Sequence, residues 1–177
     1  AAKRTYQADH VRMSPVVLGI DPARFGDDRS VVFRRQGKQG FKPIVYRGID
    51  NMDLAARVAN LIEEHNPDAV FCDAGAGSGV IDRLRQLSYD VIEIPFGGKA
   101  TKPEQYINRR TEMWWLMKQW IEEGGAIPTE FSFYDSNNHF KLQGNVQESE
   151  SITKYDPIFG LDQSYFENSN MIYLQCF

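Results

Sequence analysis

The sequence has little that would support a disulfide framework, a metal–thiolate site or a membrane span. Only two cysteines, Cys72 and Cys176, occur among 177 residues, and their spacing matches no zinc site. No apolar run approaches the roughly 20 residues that a membrane-spanning helix requires. The polar start shows no secretory signal pattern and lacks an initiator Met, so we expect a piece of a longer protein in a reducing, intracellular setting with no membrane partner.

Two widespread catalytic motifs are missing as well. The three histidines, His10, His65 and His139, are not associated with a Ser or Cys nucleophile, so a hydrolase triad is poorly supported. The glycine-rich segment 75–79 matches neither the dinucleotide fingerprint nor the P-loop, because no Gly-Lys-Ser/Thr follows it. Nucleotide-driven chemistry is therefore disfavoured for this segment.

An excess of positive charge is also absent, since the net charge is −4 at pH 7. Residues 144–177 carry five acids and one lysine, which leaves residues 1–143 neutral overall. Between positions 99 and 118, however, five cations outnumber two acids: Lys99, Lys102, Arg109, Arg110 and Lys118 against Glu104 and Glu112. This local cluster could contact phosphates or could simply be a solvated helix face, and both interpretations stay open.

Short β-branched runs alternate with helical periodicity along the first 123 residues. The pattern predicts strands over 16–20, 30–35, 42–48, 69–73 and 90–94, and helices over 53–65, 78–87 and 104–123. Tight turns make the first three strands an antiparallel meander, and a helix between two buried strands makes a parallel crossover. We therefore predict an α/β domain over 15–177, with an arm or linker at 1–14 and an atypical, unassigned tail at 143–177.

Two of the predicted strands end on a lone carboxylate. Asp21 follows Val16-Val17-Leu18-Gly19-Ile20, and Asp73 follows Ala69-Val70-Phe71-Cys72. If these strands lie side by side and parallel, the two carboxylates meet at one edge of the sheet, where they must share a proton or bind a cation. Oxygen ligands suit Mg²⁺ or Mn²⁺, and such ions support phosphodiester chemistry. The alternative is that each Asp only caps a turn.

Other polar residues near these acids are weaker candidates. Asp27 and Asp28 could reach a cation through water, although a turn explains them equally well, and Arg24 could touch a phosphate. The segment Gly75-Ala76-Gly77-Ser78-Gly79 could let a phosphate approach a helix N-terminus, or could be only a tight turn from strand to helix.

The segments Val17–Ser30 and Val70–Gly79 resemble the C-terminal nuclease domain of the large terminase subunit of tailed bacteriophages. The segment Phe96-Gly97-Gly98-Lys99-Ala100, followed by Asn108–Trp114, is similar to the basic loop and following helix of that family. The resemblance covers about residues 15 to 143. It implies an RNase H-like mixed sheet, with an antiparallel three-strand meander plus parallel strands, flanked by helices.

The resemblance also implies an activity and its setting. The implied enzyme is a two-metal-ion endonuclease that uses Mg²⁺ or Mn²⁺ to cut concatemeric double-stranded viral DNA during genome packaging in the host cell cytoplasm. The implied partners are double-stranded DNA, the terminase ATPase domain, the small terminase subunit and the portal protein. The residues implied to contact DNA are Arg24, Gly77, Ser78, Lys99, Lys102, Arg109 and Arg110.

The third metal-binding acid is where this sequence departs from the family pattern. Asp21 and Asp73 match the first two acids, whereas the third falls in Ile152–Asp162, where Asp156 lies at about the expected distance and Asp162 is a second option. Two other functions stay open: a Holliday-junction resolvase-like nuclease, whose first strand carries a similar Gly-Ile-Asp-Pro pattern, and a non-catalytic module that binds DNA or docks on the portal.

Overall fold

The structure, a computed structural model, describes residues 9–23 and 29–127 together with the short strands at 155–156 and 161–162. In chain order the elements are α1 (Asp9–Arg12), β1 (Val16–Asp21), β2 (Arg29–Gln36), β3 (Gln39–Gly40), β4 (Ile44–Arg47), α2 (Asn51–His65), β5 (Ala69–Asp73), α3 (Ala74–Gln86), β6 (Ile92–Ile94), α4 (Arg109–Glu122), β7 (Tyr155–Asp156) and β8 (Leu161–Asp162).

The main sheet has the strand order β3-β2-β1-β5-β6, with β4 also paired to β2. Strand β2 is antiparallel to β1, β3 and β4, whereas β5 is parallel to both β1 and β6. The predicted meander and the predicted parallel crossover are therefore both confirmed. Because β1, β5 and β6 are parallel, their carboxyl ends lie at the same edge of the sheet.

Helices cover both faces of the sheet, because successive apolar side chains of a strand point to opposite faces. Leu18 and Ile20 of β1 join the larger core with α2 and α3, which contribute residues such as Val58 and Val80. On the opposite face, Val17 and its neighbours pack against Trp120 of α4. This two-sided burial explains why β1 and β5 are continuous apolar runs.

Helix α4 runs along its face with its N-terminal half near the carboxyl edge of the sheet. Trp120, near its C-terminal end, packs with Val17 at the start of β1. Met113 and Met117, closer to its N-terminus, pack with Ile94 at the end of β6. These Met and Trp residues are therefore packing residues, whereas Ile107, which lies within the predicted helix 104–123, is 86% exposed and precedes α4.

Helix boundaries differ from the predictions at three N-termini. Helix α2 begins at Asn51 rather than Asp53 and is capped by Asp50, whose side chain accepts from Met52 N and Asp53 N at 2.8 Å each. Helix α3 begins at Ala74 rather than Ser78, directly after β5. Helix α4 begins at Arg109 rather than Glu104, with Asn108 as its cap.

Two strand and arm predictions also need refinement. The predicted third strand, 42–48, corresponds to β4 but is shorter, and a further two-residue strand, β3, precedes it; both pair with β2. The end of the predicted arm contains α1, and Val11 of this helix is buried. Gln36 of β2 donates from Nε2 to Ser14 O at 3.1 Å, so these last arm residues pack on the sheet. The domain boundary at residue 15 stays a prediction.

The described helices include none that could cross a lipid bilayer.

The start of α3 packs closely against β1 and β5 because position 77 has no side chain. A Cβ at Gly77 would lie 2.8 Å from Cys72 Sγ and 3.1 Å from Pro22 Cγ. Cys72 is 0% exposed and cannot move away, which confirms it as a core residue. Gly79, in the same helix, would meet Asn51 Nδ2 at 2.7 Å, and this atom is the end of an exposed, flexible side chain.

We expect Gly77→Ala to destabilise the fold by about 1–2 kcal/mol, although alanine is the better helix former by about 1 kcal/mol. The added methyl group would have to displace the buried Cys72 sulfur and the Pro22 ring. Gly79→Ala is the matched control, since the Asn51 side chain can rotate away and the helix-propensity gain remains. Urea unfolding of both variants measures the difference; equal stabilities would contradict the packing role of Gly77.

Candidate metal centre

Asp21 and Asp73 lie next to each other at the carboxyl edge of the sheet. The parallel register pairs Ile20 of β1 with Cys72 of β5, so the following residues of the two strands are neighbours. Adjacent strands are separated by about 4.8 Å, which brings two short carboxylate side chains within reach of one ion. The predicted convergence of Asp21 and Asp73 is therefore present in the structure.

The environment of Asp21 disfavours its negative charge. Burial, and to a smaller extent the negative charge of Asp73, together raise the pKa of Asp21 from 3.8 to about 7. Asp73 is more firmly held, because it caps α3 and its Oδ1 accepts from Gly75 N at 3.1 Å. The pair thus has one member whose negative charge is disfavoured and one member that is oriented by a backbone hydrogen bond.

The donor set of this pair fits a hard divalent cation. It consists of carboxylate oxygens, which Mg²⁺ and Mn²⁺ prefer, and a cation between the two groups would relieve their repulsion. The neighbouring thiol of Cys72 is not a ligand candidate: it is buried under α3, and burial raises its pKa, so it stays neutral. Within residues 9–23 and 29–127, no third His, Cys, Asp or Glu completes a metal-binding group.

Several predicted site residues lie outside the described part of the chain. These are Arg24, Asp27 and Asp28, which follow β1. Asp156 and Asp162 belong to the strands β7 and β8, which pair with each other as Tyr155–Asp162 and Asp156–Leu161. Their side chains are not among those described. Their roles stay predictions.

The glycine-rich segment is the first part of α3 rather than the predicted loop. Gly77 is buried against Pro22 and Cys72, so its glycine is explained by packing. Ser78 lies exposed in the next position of the helix. The change from strand to helix lies between Asp73 and Ala74, so the interpretation of residues 75–79 as a tight turn is wrong.

The basic loop, residues 95–108, begins directly beside the acidic pair. The register pairs Asp73 with Ile94, the last residue of β6, so the loop leaves the sheet next to Asp73. Lys99 and Lys102 are exposed in this loop. Two backbone bonds fold the loop back on the start of α4: Arg109 N donates to Gly98 O at 2.9 Å, and Arg110 N donates to Phe96 O at 3.2 Å.

Arg109 has contacts that sequence analysis did not predict. Its Nη1 donates to Glu112 Oε2 at 3.0 Å and also contacts Thr101 Oγ1. Glu112 itself is only 4% exposed. In the sequence it is one of two acids among the five cations of the local cluster, for which phosphate contact and a solvated helix face both stay open. Its only sequence signal is its place in the first turn of a helix, four positions after the cap Asn108, where an acid is common on any helix.

Among the described histidines, His65 is occupied by structural contacts. Its Nδ1 lies 3.4 Å from Arg34 Nη1, and its Nε2 lies 3.7 Å from Glu64 Oε1. His65 and Arg34 line a cavity of about 240 Å³ with Phe41, but neither Asp21 nor Asp73 borders it.

No protein-family model matches the sequence, and no curated protein matches it.

Solved structures with a similar fold are nuclease domains of phage large terminases. The nuclease domain of the large terminase subunit gp2 of bacterial virus Sf6 aligns with a TM-score of 0.54 at 16% identity, covering 66% of this chain and 64% of that chain. A point variant of that domain with calcium gives 0.56 at 14% identity, with coverages of 66% and 64%. The large terminase nuclease of thermophilic phage G20c with bound magnesium gives 0.51 at 19% identity, with coverages of 71% and 61%.

These similarities confirm the predicted fold class. The chain has a mixed sheet of parallel and antiparallel strands flanked by helices, as in the RNase H-like terminase nuclease domains. The resemblance noted in the sequence is thereby confirmed at the level of the fold. The matched region spans less than two thirds of each of these solved chains.

The pKa of Asp21 predicts how the stability of the metal-free protein depends on pH. Because its folded pKa, about 7, exceeds its unfolded value, 3.8, the folded state binds the proton more tightly, and stability falls as pH rises between these values. We expect Asp21→Asn to match wild type near pH 4 and to exceed it at pH 8 by about 2 kcal/mol, roughly half of the full linkage value because the group is partly exposed.

Denaturant unfolding at both pH values in EDTA measures this difference. Asp82→Asn, on the exposed face of α3, is the matched control, and its stability should follow that of wild type at both pH values. Asp73→Asn should remove only part of the effect, because burial is the larger cause. A wild type and an Asp21→Asn variant that stay equally stable at pH 8 would contradict the assigned environment of Asp21.

Proposed function

We propose that this chain is a metal-dependent endonuclease domain that cleaves concatemeric double-stranded viral DNA during genome packaging. The observation that carries the proposal is the convergence of Asp21 and Asp73 at the ends of adjacent parallel strands. The fold gives further support, since similar solved structures are terminase nuclease domains, some with magnesium or manganese. Phosphodiester hydrolysis by Mg²⁺ or Mn²⁺ is the chemistry that links these observations.

Asp21 and Asp73 are the residues that would hold the ions, two in the proposed mechanism. When bound, such ions supply Lewis-acid activation of water and charge stabilisation at the leaving oxygen of the phosphodiester. The contribution of the chain is to fix the two carboxylates in advance. Asp21 lies at the end of a strand paired on both sides, and Asp73 is oriented by the Gly75 N–H, so little reorganisation is needed when a cation binds.

The third carboxylate of the site is proposed to be Asp156, with Asp162 as the second option. Asp27 and Asp28 follow β1 and remain candidates for a water-mediated contact. Two carboxylates can hold Mg²⁺, which usually keeps several of its waters, so the proposal does not require all of these acids.

The DNA backbone is proposed to lie along the basic loop beside the acidic pair. Lys99 and Lys102 are exposed there and can contact phosphates without reading base sequence. Arg24, Ser78 and Arg110 remain candidates for DNA contact, whereas Gly77 is buried and the bonds of Arg109 point to another role.

The proposed setting of this domain is the viral packaging machinery in the host cell cytoplasm. There the terminase ATPase domain, the small terminase subunit and the portal protein would be its partners. In this proposal residues 15–177 form the nuclease domain and residues 1–14 lead into it.

We expect Asp21→Asn and Asp73→Asn each to reduce Mg²⁺- or Mn²⁺-dependent plasmid cleavage at least 100-fold, because each removes a charged oxygen ligand. Asp82→Asn, at an exposed position of α3, should retain wild-type activity. In the same assay, Asp156→Ala and Asp162→Ala identify the third acid as the one whose loss abolishes cleavage.

Comparing cleavage of linear duplex DNA with cleavage of a four-way junction distinguishes the proposed function from the two alternatives. Wild-type protein that binds DNA but cuts none of it with Mg²⁺ or Mn²⁺ would favour the non-catalytic module. Strong preference for a four-way junction over linear duplex would favour a resolvase-like enzyme. Full activity of both Asp variants would overturn the assignment of the site.

We expect the double variant Lys99→Gln/Lys102→Gln to weaken DNA binding and to make it less sensitive to salt. Each lost phosphate contact lowers the slope of log K against log salt by about 0.9, so the slope should fall by about 1.8. Arg47→Gln, which removes an exposed cation on β4, is the control. Fluorescence-anisotropy titrations of duplex DNA between 50 and 200 mM salt measure both slopes; an unchanged slope would remove this loop from the DNA interface.

A further inference from the structure

Glu112 is a buried carboxylate whose hydrogen bonds join the basic loop to α4. Its Oε2 accepts from Thr101 N at 2.7 Å and from Arg109 Nη1 at 3.0 Å, and its Oε1 accepts from Lys102 N at 3.3 Å. Two of these donors are backbone groups of the loop, and the third is a side chain of the helix. A single carboxylate therefore connects the middle of the loop to the first turn of α4.

The charge of Glu112 is retained despite its burial. Burial opposes the charged form, but the Thr101 and Lys102 N–H groups and the Arg109 guanidinium outweigh it and hold the pKa of Glu112 below its usual value. Charge-assisted hydrogen bonds of this kind are stronger than neutral ones. The loop conformation and the buried charge consequently depend on each other, since removing the bonds would leave a buried carboxylate uncompensated.

The connection lies next to the acidic pair. The loop leaves the sheet at Ile94, opposite Asp73, and returns to α4, whose N-terminal half packs on Ile94 through Met113. Lys102, whose backbone is held by Glu112, and Lys99 three positions earlier both have exposed side chains. The anchor thus acts on the backbone from which these cations extend.

We propose that Glu112 and Arg109 form a clamp that sets the basic loop beside Asp73, so that Lys99 and Lys102 meet the DNA backbone in a fixed position. This inference rests on the proposed function. Glu112 is a positioning residue, because it contacts the loop and not the substrate. Arg109, which the resemblance implied as a DNA contact, is assigned to the clamp instead.

KM for duplex DNA and hydrogen exchange at the loop amides together distinguish variants that break the clamp from variants that remove the exposed lysines. Glu112→Gln keeps the shape but loses the charge, and we expect it to raise KM for duplex DNA about five- to tenfold with kcat changed less than twofold. It should also accelerate hydrogen exchange at the Thr101 and Lys102 amides at least tenfold. Lys99→Gln/Lys102→Gln should raise KM without changing that exchange, because it removes contacts and leaves the anchor.

Arg109→Gln also breaks the clamp, and it does so at a side chain that is 34% exposed, with the buried Glu112 left in place. We expect it to reproduce both effects of Glu112→Gln, and the double variant to be no worse than the stronger single variant, because both remove one clamp. Glu122→Gln is the matched control. It breaks the 2.7 Å pair with Lys118 on the exposed part of the same helix and should change neither KM nor the loop amides.

Two results would overturn the clamp. One is unchanged exchange at Thr101 and Lys102 in both clamp variants, and the other is faster exchange with an unchanged KM. Failure of the proposed nuclease function can be told apart from failure of the clamp. If the function is wrong, wild-type protein cuts no DNA, but hydrogen exchange at the loop amides can still be measured. In that case the Kd for duplex DNA in Ca²⁺ replaces KM, and an unchanged Kd in the clamp variants overturns the clamp in the same way.

Discussion

The parallel pairing of β1 with β5 is the constraint on which the rest of the structure depends. This register places two carboxylates side by side at the edge where the strands end, and burial adds to their mutual repulsion. A fold that only needed stability would gain from replacing one of them with a neutral side chain. Their presence on rigid, fully paired strands is best accounted for by a cation that would bind between them, and the proposed nuclease chemistry follows from that ion.

Helices α3 and α4 and the basic loop all lie close to the edge of the sheet at which Asp21 and Asp73 meet. Gly77 lets α3 approach the strand ends closely, which places the helix directly after Asp73 and lets that residue act as its cap. On the other face of the sheet, α4 directs its N-terminal half toward the same edge, and the basic loop connects the two. Two carboxylates and two exposed lysines are thereby brought together, and the proposed cutting of a polyanion with divalent ions would require this combination.

Much of the fold could be predicted because the apolar runs are short, β-branched and well separated. The strands at 16–21 and 69–73 and their terminal acids were recognisable from local pattern alone. The start of α3 was not, because the glycines at 75, 77 and 79 are typical of a loop, and the contacts with Pro22 and Cys72 that explain a glycine within the helix at position 77 are not visible in the sequence. Glu112 was missed for a similar reason: its burial is set by loop amides that no periodicity reports.

The central claim is that Asp21 and Asp73 hold a divalent cation together, and crystals soaked in Mn²⁺ test it most directly. An anomalous difference map should show at least one peak within coordination distance of a carboxylate oxygen from each residue, about 2.0–2.3 Å. A second peak about 3.5–4 Å away would support the two-ion form of the mechanism. A map at saturating Mn²⁺ with no peak shared by the two carboxylates would contradict the account.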